Sequence, residues 1–101
     1  MYNKAVIVSF GDKTTEDIYN GVETKAARRL PKEMWGRIRI KLDLLNACTR
    51  LDDLRAPPSN RLERLKDDLE GFYSIRVNDR YRIVFQFADG NAVEVCCTDY
   101  H

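Results

Sequence analysis

With 101 residues, 44% of them hydrophobic and 33% charged, the chain carries enough apolar material for one small core. A net charge of +1 argues against a protein that attracts nucleic acid through its overall field. No apolar run approaches the roughly 18 residues of a membrane span, and the opening MYNKAVIVSFGDK lacks the layout of a cleavable signal. The expectation is one cytoplasmic domain over residues 1–101 with no membrane partner.

In chain order, the β-branched run AVIVSF predicts a short buried strand over 5–10. Thr14 or Thr15 can then cap a short helix whose first turn holds Glu16 and Asp17, where the macrodipole favours acids, and Gly21 stops it. A helical stretch begins near Glu23 and meets Pro31, a residue suited to a first helical turn, so the long helix is expected from about Pro31. Met34, Trp35, Ile38, Leu42 and Leu45 recur at spacings of three and four and form one apolar stripe through about Cys48. Arg37 and Lys41 fall off that stripe, toward water, and Trp35 falls on it, as a core residue rather than a base-stacking one.

Pro57-Pro58-Ser59-Asn60 predicts an extended connection between layers. Beyond it the period becomes two: RLERL, FYSIRV and RYRIVFQF read as strands, and Asp89-Gly90 supplies the positive-φ positions of a tight hairpin before the last strand. Helices first and strands last define an α+β protein with an antiparallel sheet. Three cysteines cannot all pair, and Cys96 and Cys97 point to opposite faces of a strand, so they read as small reduced core residues. One histidine and three cysteines in no CxxC spacing predict no metal, and nothing predicts a cofactor.

Charge is unevenly placed. Residues 24–41 carry Lys25, Arg28, Arg29, Lys32, Arg37, Arg39 and Lys41 against the single acid Glu33. A solvated helix face and a phosphate-binding surface both account for such a run. The last strand ends in Thr98-Asp99-Tyr100-His101, where ladder hydrogen bonds can hold a carboxylate, a phenol and the only imidazole of the chain together. Nearby in the strand pattern lie Glu63, Lys66, Arg76, Arg80 and Arg82. Arg82 stands mid-strand between Tyr81 and Ile83, and a buried guanidinium needs a partner: Asp99 or Glu94 across the sheet, or an anionic ligand.

RLERLKDDLEGFYSIRVNDRYRIVFQF followed by VEVCCTDYH resembles the C-terminal half of the HigB-type toxins, a branch of the RelE superfamily of bacterial toxin–antitoxin systems. The resemblance rests on Leu65-Lys66, Gly71, Ser74-Ile75-Arg76-Val77-Asn78, Tyr81-Arg82-Ile83, Phe85 and Asp99-Tyr100-His101. It covers residues 50–101, and the helices over 14–48 by pattern. It implies a RelE-like small antiparallel sheet with two N-terminal helices packed against it. It further implies an mRNA endonuclease acting in the ribosomal A site, silenced by a HigA-like helix-turn-helix antitoxin, with operator DNA reached only through the antitoxin complex. The positions matching the family's functional residues are Lys66, Arg82, Asp99, Tyr100 and His101. Some relatives carry a second histidine three residues before the lysine, where this chain has Glu63, a weaker base by type.

The chemistry agrees with those residue types. Internal RNA cleavage removes a proton from a 2′-OH, stabilises a phosphorane and protonates the leaving 5′-oxygen. His101 is the side chain suited to proton transfer, Asp99 to orienting it or acting as base, and Lys66 and Arg82 to holding the phosphate. Tyr100 could stack on a base or hydrogen-bond the phosphate. The expected products are a 2′,3′-cyclic phosphate and a 5′-hydroxyl, with no metal needed. Arg76, Arg80 and the basic stretch would meet RNA or ribosome, although 24–41 could equally meet an acidic antitoxin segment. Competing readings of the same fold are a ParE-like gyrase inhibitor that cuts no RNA and a degenerate member that only binds its antitoxin.

Overall fold

The computed structural model describes residues 5–99; residues 1–4, Tyr100 and His101 lie outside that range. Two α-helices, α1 (Lys13–Asn20) and α2 (Trp35–Ala47), precede four strands: β1 (Glu63–Arg64), β2 (Phe72–Arg76), β3 (Tyr81–Ala88) and β4 (Asn91–Asp99). The strands form one antiparallel sheet in the order β1-β2-β3-β4. Both helices pack on the same face of this sheet, as expected for an α+β chain.

The short helix begins at Lys13, ahead of its threonines. Asp12 is the N-cap, its Oδ1 accepting from Thr15 N at 2.8 Å. Both threonines are buried and used otherwise: Thr14 Oγ1 donates to Ala26 O at 2.8 Å, and Thr15 Oγ1 accepts from Cys97 N at 2.8 Å. A carboxylate is as good a cap as a hydroxyl, which frees Thr15 to satisfy an amide on the edge strand β4. Asp12→Ala is expected to cost about 1 kcal/mol and to lower the melting temperature by roughly 4–8 °C for a domain of this size, as thermal denaturation followed by circular dichroism would read. Gly21 ends the helix in the left-handed region, φ 73°, as its sequence position suggests.

The stripe on α2 is as its spacing predicts. Trp35, Ile38, Leu42 and Leu45 are buried and meet Ile75, Ile83, Phe85, Val95 and Cys97 of the sheet in one core. Trp35 Nε1 donates to Leu30 O at 3.0 Å, which gives the buried indole its polar partner and makes it a core residue. The stretch after Glu23 contributes only a 3₁₀ turn at Ala27–Arg29, and a second turn at Lys32–Met34 leads into α2.

Three further expectations are corrected. Residues 5–10 make no strand: Ile7 and Phe10 form isolated parallel bridges to Ala92 and Val95, and Val8 is 61% exposed. Asn46 Oδ1 of α2 accepts from both Val6 N and Ile7 N, at 3.0 and 2.9 Å, so those donors do not feed a ladder. Glu94, at φ 56°, bends β4 between the two bridges. The connection over 57–60 is not extended either. It folds into short 3₁₀ turns at Leu51–Arg55 and Pro58–Asn60, and Asn60 is fully buried, donating through Nδ2 to Leu54 O at 3.1 Å and Ala56 O at 3.2 Å. Lys41 does not point to water. It is half-buried and its Nζ donates to Asn60 Oδ1 at 2.6 Å; desolvation first, then Arg37 and Arg76, lower its ammonium pKa. The hairpin joining β3 to β4 turns at Asp89 and Gly90, φ 55° and 78°, where the Asp-Gly pair places it.

Candidate active site on the sheet face away from the helices

Strand register sorts the polar residues by face. Ile75, Ile83 and Cys97 lie opposite one another and point to the helices. One residue further along, Arg76, Arg82 and Thr98 form a row whose side chains take the other face. The next row on that face is Glu63, Ser74, Val84 and Cys96. Leu65 and Val84 are buried there without joining the main core, so this face has a small apolar floor of its own beside the arginine row.

Arg82 is anchored at its root. Its Nε donates to Ser74 Oγ at 2.8 Å, and its Nη2 to Arg61 O at 2.6 Å and Ser74 O at 3.4 Å. Asp99 is opposite core residue Tyr81 and two residues beyond Cys97, so strand alternation gives it the helix-side parity rather than that of Arg82 and Thr98, and its Oδ2 accepts from Arg80 Nε at 2.8 Å. The carboxylate beside Arg80 raises the guanidinium pKa further. Arg76 pairs with Asp79 across the tight turn between β2 and β3. Asn78 builds that turn, its Oδ1 accepting from Arg80 N at 2.9 Å and Tyr81 N at 2.8 Å.

Lys66 and Glu63 take different places. Glu63 is exposed and faces the same way as Ser74, one row from Arg82. Leu65 N donates to Phe72 O at 2.9 Å, so exposed Lys66 emerges at the Phe72 end of the sheet. That end is roughly 13 Å along β2 from the Arg76–Arg82 row at a strand's rise per residue. Along the strands, the Glu63–Ser74 row lies between the Arg76–Arg82 row and the Phe72 end where Lys66 emerges. Tyr100 and His101, the sequence candidates for stacking and proton transfer, lie outside the described residues.

The basic stretch does not make one surface. Arg28 and Lys32 both pair with Glu23, at 3.7 and 3.0 Å, and Lys32 also lies over the Trp35 ring. Arg39 Nη1 donates to Ile18 O at 3.3 Å at the end of α1, and Lys41 is committed to Asn60. Lys25, Arg29 and Arg37 are exposed. Most of this charge sits in the helical layer, behind the sheet as seen from Arg82.

Cys48, Cys96 and Cys97 are free thiols; Cys48 and Cys97 lie in the core, but Cys96 does not, because alternation along β4 turns it to the other face, where it is half-buried. Burial pushes Cys96 up to about 11 and Cys97 up to about 12, with smaller contributions from nearby negative charge. Unfolded thiols titrate near about 8.5, so these groups favour the folded state fully below that pH and lose their contribution as pH rises through the folded values. Denaturant midpoints are expected to fall from about pH 8 to about pH 11, and Cys96→Ser and Cys97→Ser variants to lose less over that interval. Among the described residues no three His, Cys, Asp or Glu side chains converge as a metal site requires, and no helix is long and apolar enough to cross a membrane.

A four-stranded antiparallel sheet with two N-terminal helices on one face is an architecture shared with solved RelE-like toxins. A YoeB–YefM complex from Staphylococcus aureus contains a chain that superposes with a TM-score of 0.59 at 22% identity, covering 98% of this chain and 99% of that one. The YoeB dimer from the same organism gives 0.57 at 21%, covering 96% and 99%. In sequence, the family described as the RelE-like toxin of type II toxin–antitoxin system HigB matches residues 8–101. Toxin HigB-1 of Vibrio cholerae is 41% identical over 86 residues, 85% of this chain and 88% of that protein. Endoribonuclease HigB of Proteus vulgaris is 35% identical over 72 residues, 71% and 77% of the two chains. The chain belongs to the HigB family of RelE-like toxins of type II toxin–antitoxin systems.

Proposed function

We propose that this HigB-family chain is an endoribonuclease that cuts mRNA held in the ribosomal A site and so stops translation and growth. The observation that carries the reading is the Arg82 row: a guanidinium fixed by Ser74 and Arg61 on an accessible sheet face, with Glu63 one row away and the strand bearing Thr98-Asp99 alongside. Support from outside the chain is the name of its Proteus vulgaris relative, an endoribonuclease.

In this reading the substrate's own 2′-OH is the nucleophile. Its oxygen attacks the adjacent phosphorus, the 5′-oxygen leaves, and the products are a 2′,3′-cyclic phosphate and a 5′-hydroxyl. Arg82 and Lys66 take the charge that builds on the non-bridging oxygens. His101 moves the proton, Asp99 orients it or accepts the 2′-OH proton, and Tyr100 stacks on or hydrogen-bonds the message. Glu63, three residues before Lys66, serves as the weaker second base. Internal attack assisted by these side chains requires no metal. Arg76, Arg80, Lys25, Arg29 and Arg37 give the cationic contacts to RNA or ribosome that weaken as salt rises. A HigA-like helix-turn-helix antitoxin silences the toxin in the cytoplasm, and operator DNA is met through that complex.

Primer extension on a reporter mRNA in a purified translation system tests the reading, with wild type, His101→Ala and Lys66→Ala each assayed with and without ribosomes. Cuts that need ribosomes and disappear in both variants are expected. A chain that arrests growth while leaving message intact would overturn the nuclease reading and make gyrase the target to assay.

A further inference from the structure

We propose that Ser74 and the turn over 57–61 are positioning elements that set the plane of the Arg82 guanidinium before any phosphate arrives. The inference rests on the endoribonuclease reading above and assigns roles to residues outside its catalytic set. Ser74 is fully buried mid-strand, a place where β-branched or aromatic side chains are favoured. Its hydroxyl accepts from Arg82 Nε at 2.8 Å, while Arg61 O accepts from Nη2 at 2.6 Å. These two acceptors lie along one edge of the planar fork, so together they fix both its position and its tilt.

The second acceptor is itself held under constraint. Arg61 sits at φ 45° and ψ 56°, the left-handed region that residues with a Cβ avoid, and such a conformation persists only where the surroundings impose it. Asn60 imposes it. Its amide nitrogen donates to Leu54 O and Ala56 O, its oxygen accepts from Lys41 Nζ, and the side chain is wholly excluded from solvent. A continuous path therefore runs from Lys41 on α2 through Asn60 to the Arg61 carbonyl and on to Arg82. It gives Lys41 and Asn60 a use that the basic stretch and the proline-rich connection do not disclose by composition.

Displacing a group that contacts the reacting phosphate slows chemistry without removing the group. Ser74→Ala is expected to lower the single-turnover rate of ribosome-held mRNA cleavage about tenfold, and Ser74→Thr, which keeps the hydroxyl, to restore most of it. In an Arg82→Lys background, where no Nε–H exists to be received, Ser74→Ala is expected to change nothing further. The Arg82 Nε–H proton signal, slow to exchange in the wild-type chain, should become fast in Ser74→Ala while the melting temperature moves by only a few degrees. An unchanged cleavage rate in Ser74→Ala, or an equal loss with and without the Arg82→Lys substitution, would overturn the positioning role. If the wild-type chain cuts no RNA, the endoribonuclease reading fails separately, and the Nε–H exchange still decides whether Ser74 orients Arg82.

Discussion

Arg82→Ala is expected to reduce cleavage of ribosome-held mRNA by about 10²–10³-fold, the usual cost of deleting one preorganised donor to a developing oxyanion. The proposed reaction concentrates negative charge on non-bridging phosphate oxygens, and a guanidinium can meet two of them in one plane. Arg82 is the arginine best prepared for that task, because Ser74 and Arg61 hold it from below. Arg76 and Arg80 are instead oriented by Asp79 and Asp99, at the turn between β2 and β3. Arg76→Ala and Arg80→Ala should therefore weaken RNA binding more than they slow the chemical step. Single-turnover rates at saturating ribosome concentration separate the two effects. A wild-type rate in Arg82→Ala would remove Arg82 from the site.

Phe85→Ala is expected to destabilise the fold by about 3–5 kcal/mol, a large share of the roughly 5–15 kcal/mol available to a small domain. Phe85 is completely buried in the strand at the centre of the core, where β3 slips register against β4 between Val84 and Gln86. Its ring lies 6.2 Å from that of Tyr73 and 6.5 Å from that of Phe87, edge-on to the latter. Truncation leaves a cavity that neighbours on a bulged strand cannot readily fill. Urea denaturation should show the midpoint falling steeply with little change in slope. A loss below about 1 kcal/mol would mean that the core collapses around the missing ring, contrary to close packing.

Much of this architecture was legible because its signals are local. The apolar stripe of α2 needs only a period of about 3.6 residues, and Trp35, Ile38, Leu42 and Leu45 all face the sheet. Gly21 and the Asp89-Gly90 pair mark positive-φ positions that few other residues take comfortably, and both turns fall where they stand. The N-terminal run AVIVSF misleads because β-branched composition describes a fit to a pleated surface, while Asn46 and the kink at Glu94 decide how much ladder can form. Lys41 misleads similarly: helical spacing puts it off the stripe, yet Asn60 reaches it from a loop nineteen residues away.

The candidate site divides along the same line. The family was readable because Lys66, Arg82 and the final Asp99-Tyr100-His101 stand at fixed places in a short run of strand pattern, while the roles given to those residues and to Glu63 belong to the proposal. Ser74 stood within that run without announcing a role; the one available signal was a small hydroxyl between Tyr73 and Ile75. By itself the sequence determined the two main helices, the hairpin, the α+β class and the family. Only the tertiary structure decided that Asp99 meets Arg80, that Arg82 rests on Ser74 and Arg61, and that Lys66 leaves the sheet at its Phe72 end. Periodicity is a property of neighbours along the chain, whereas these partnerships depend on strand register and on how a turn closes against a helix.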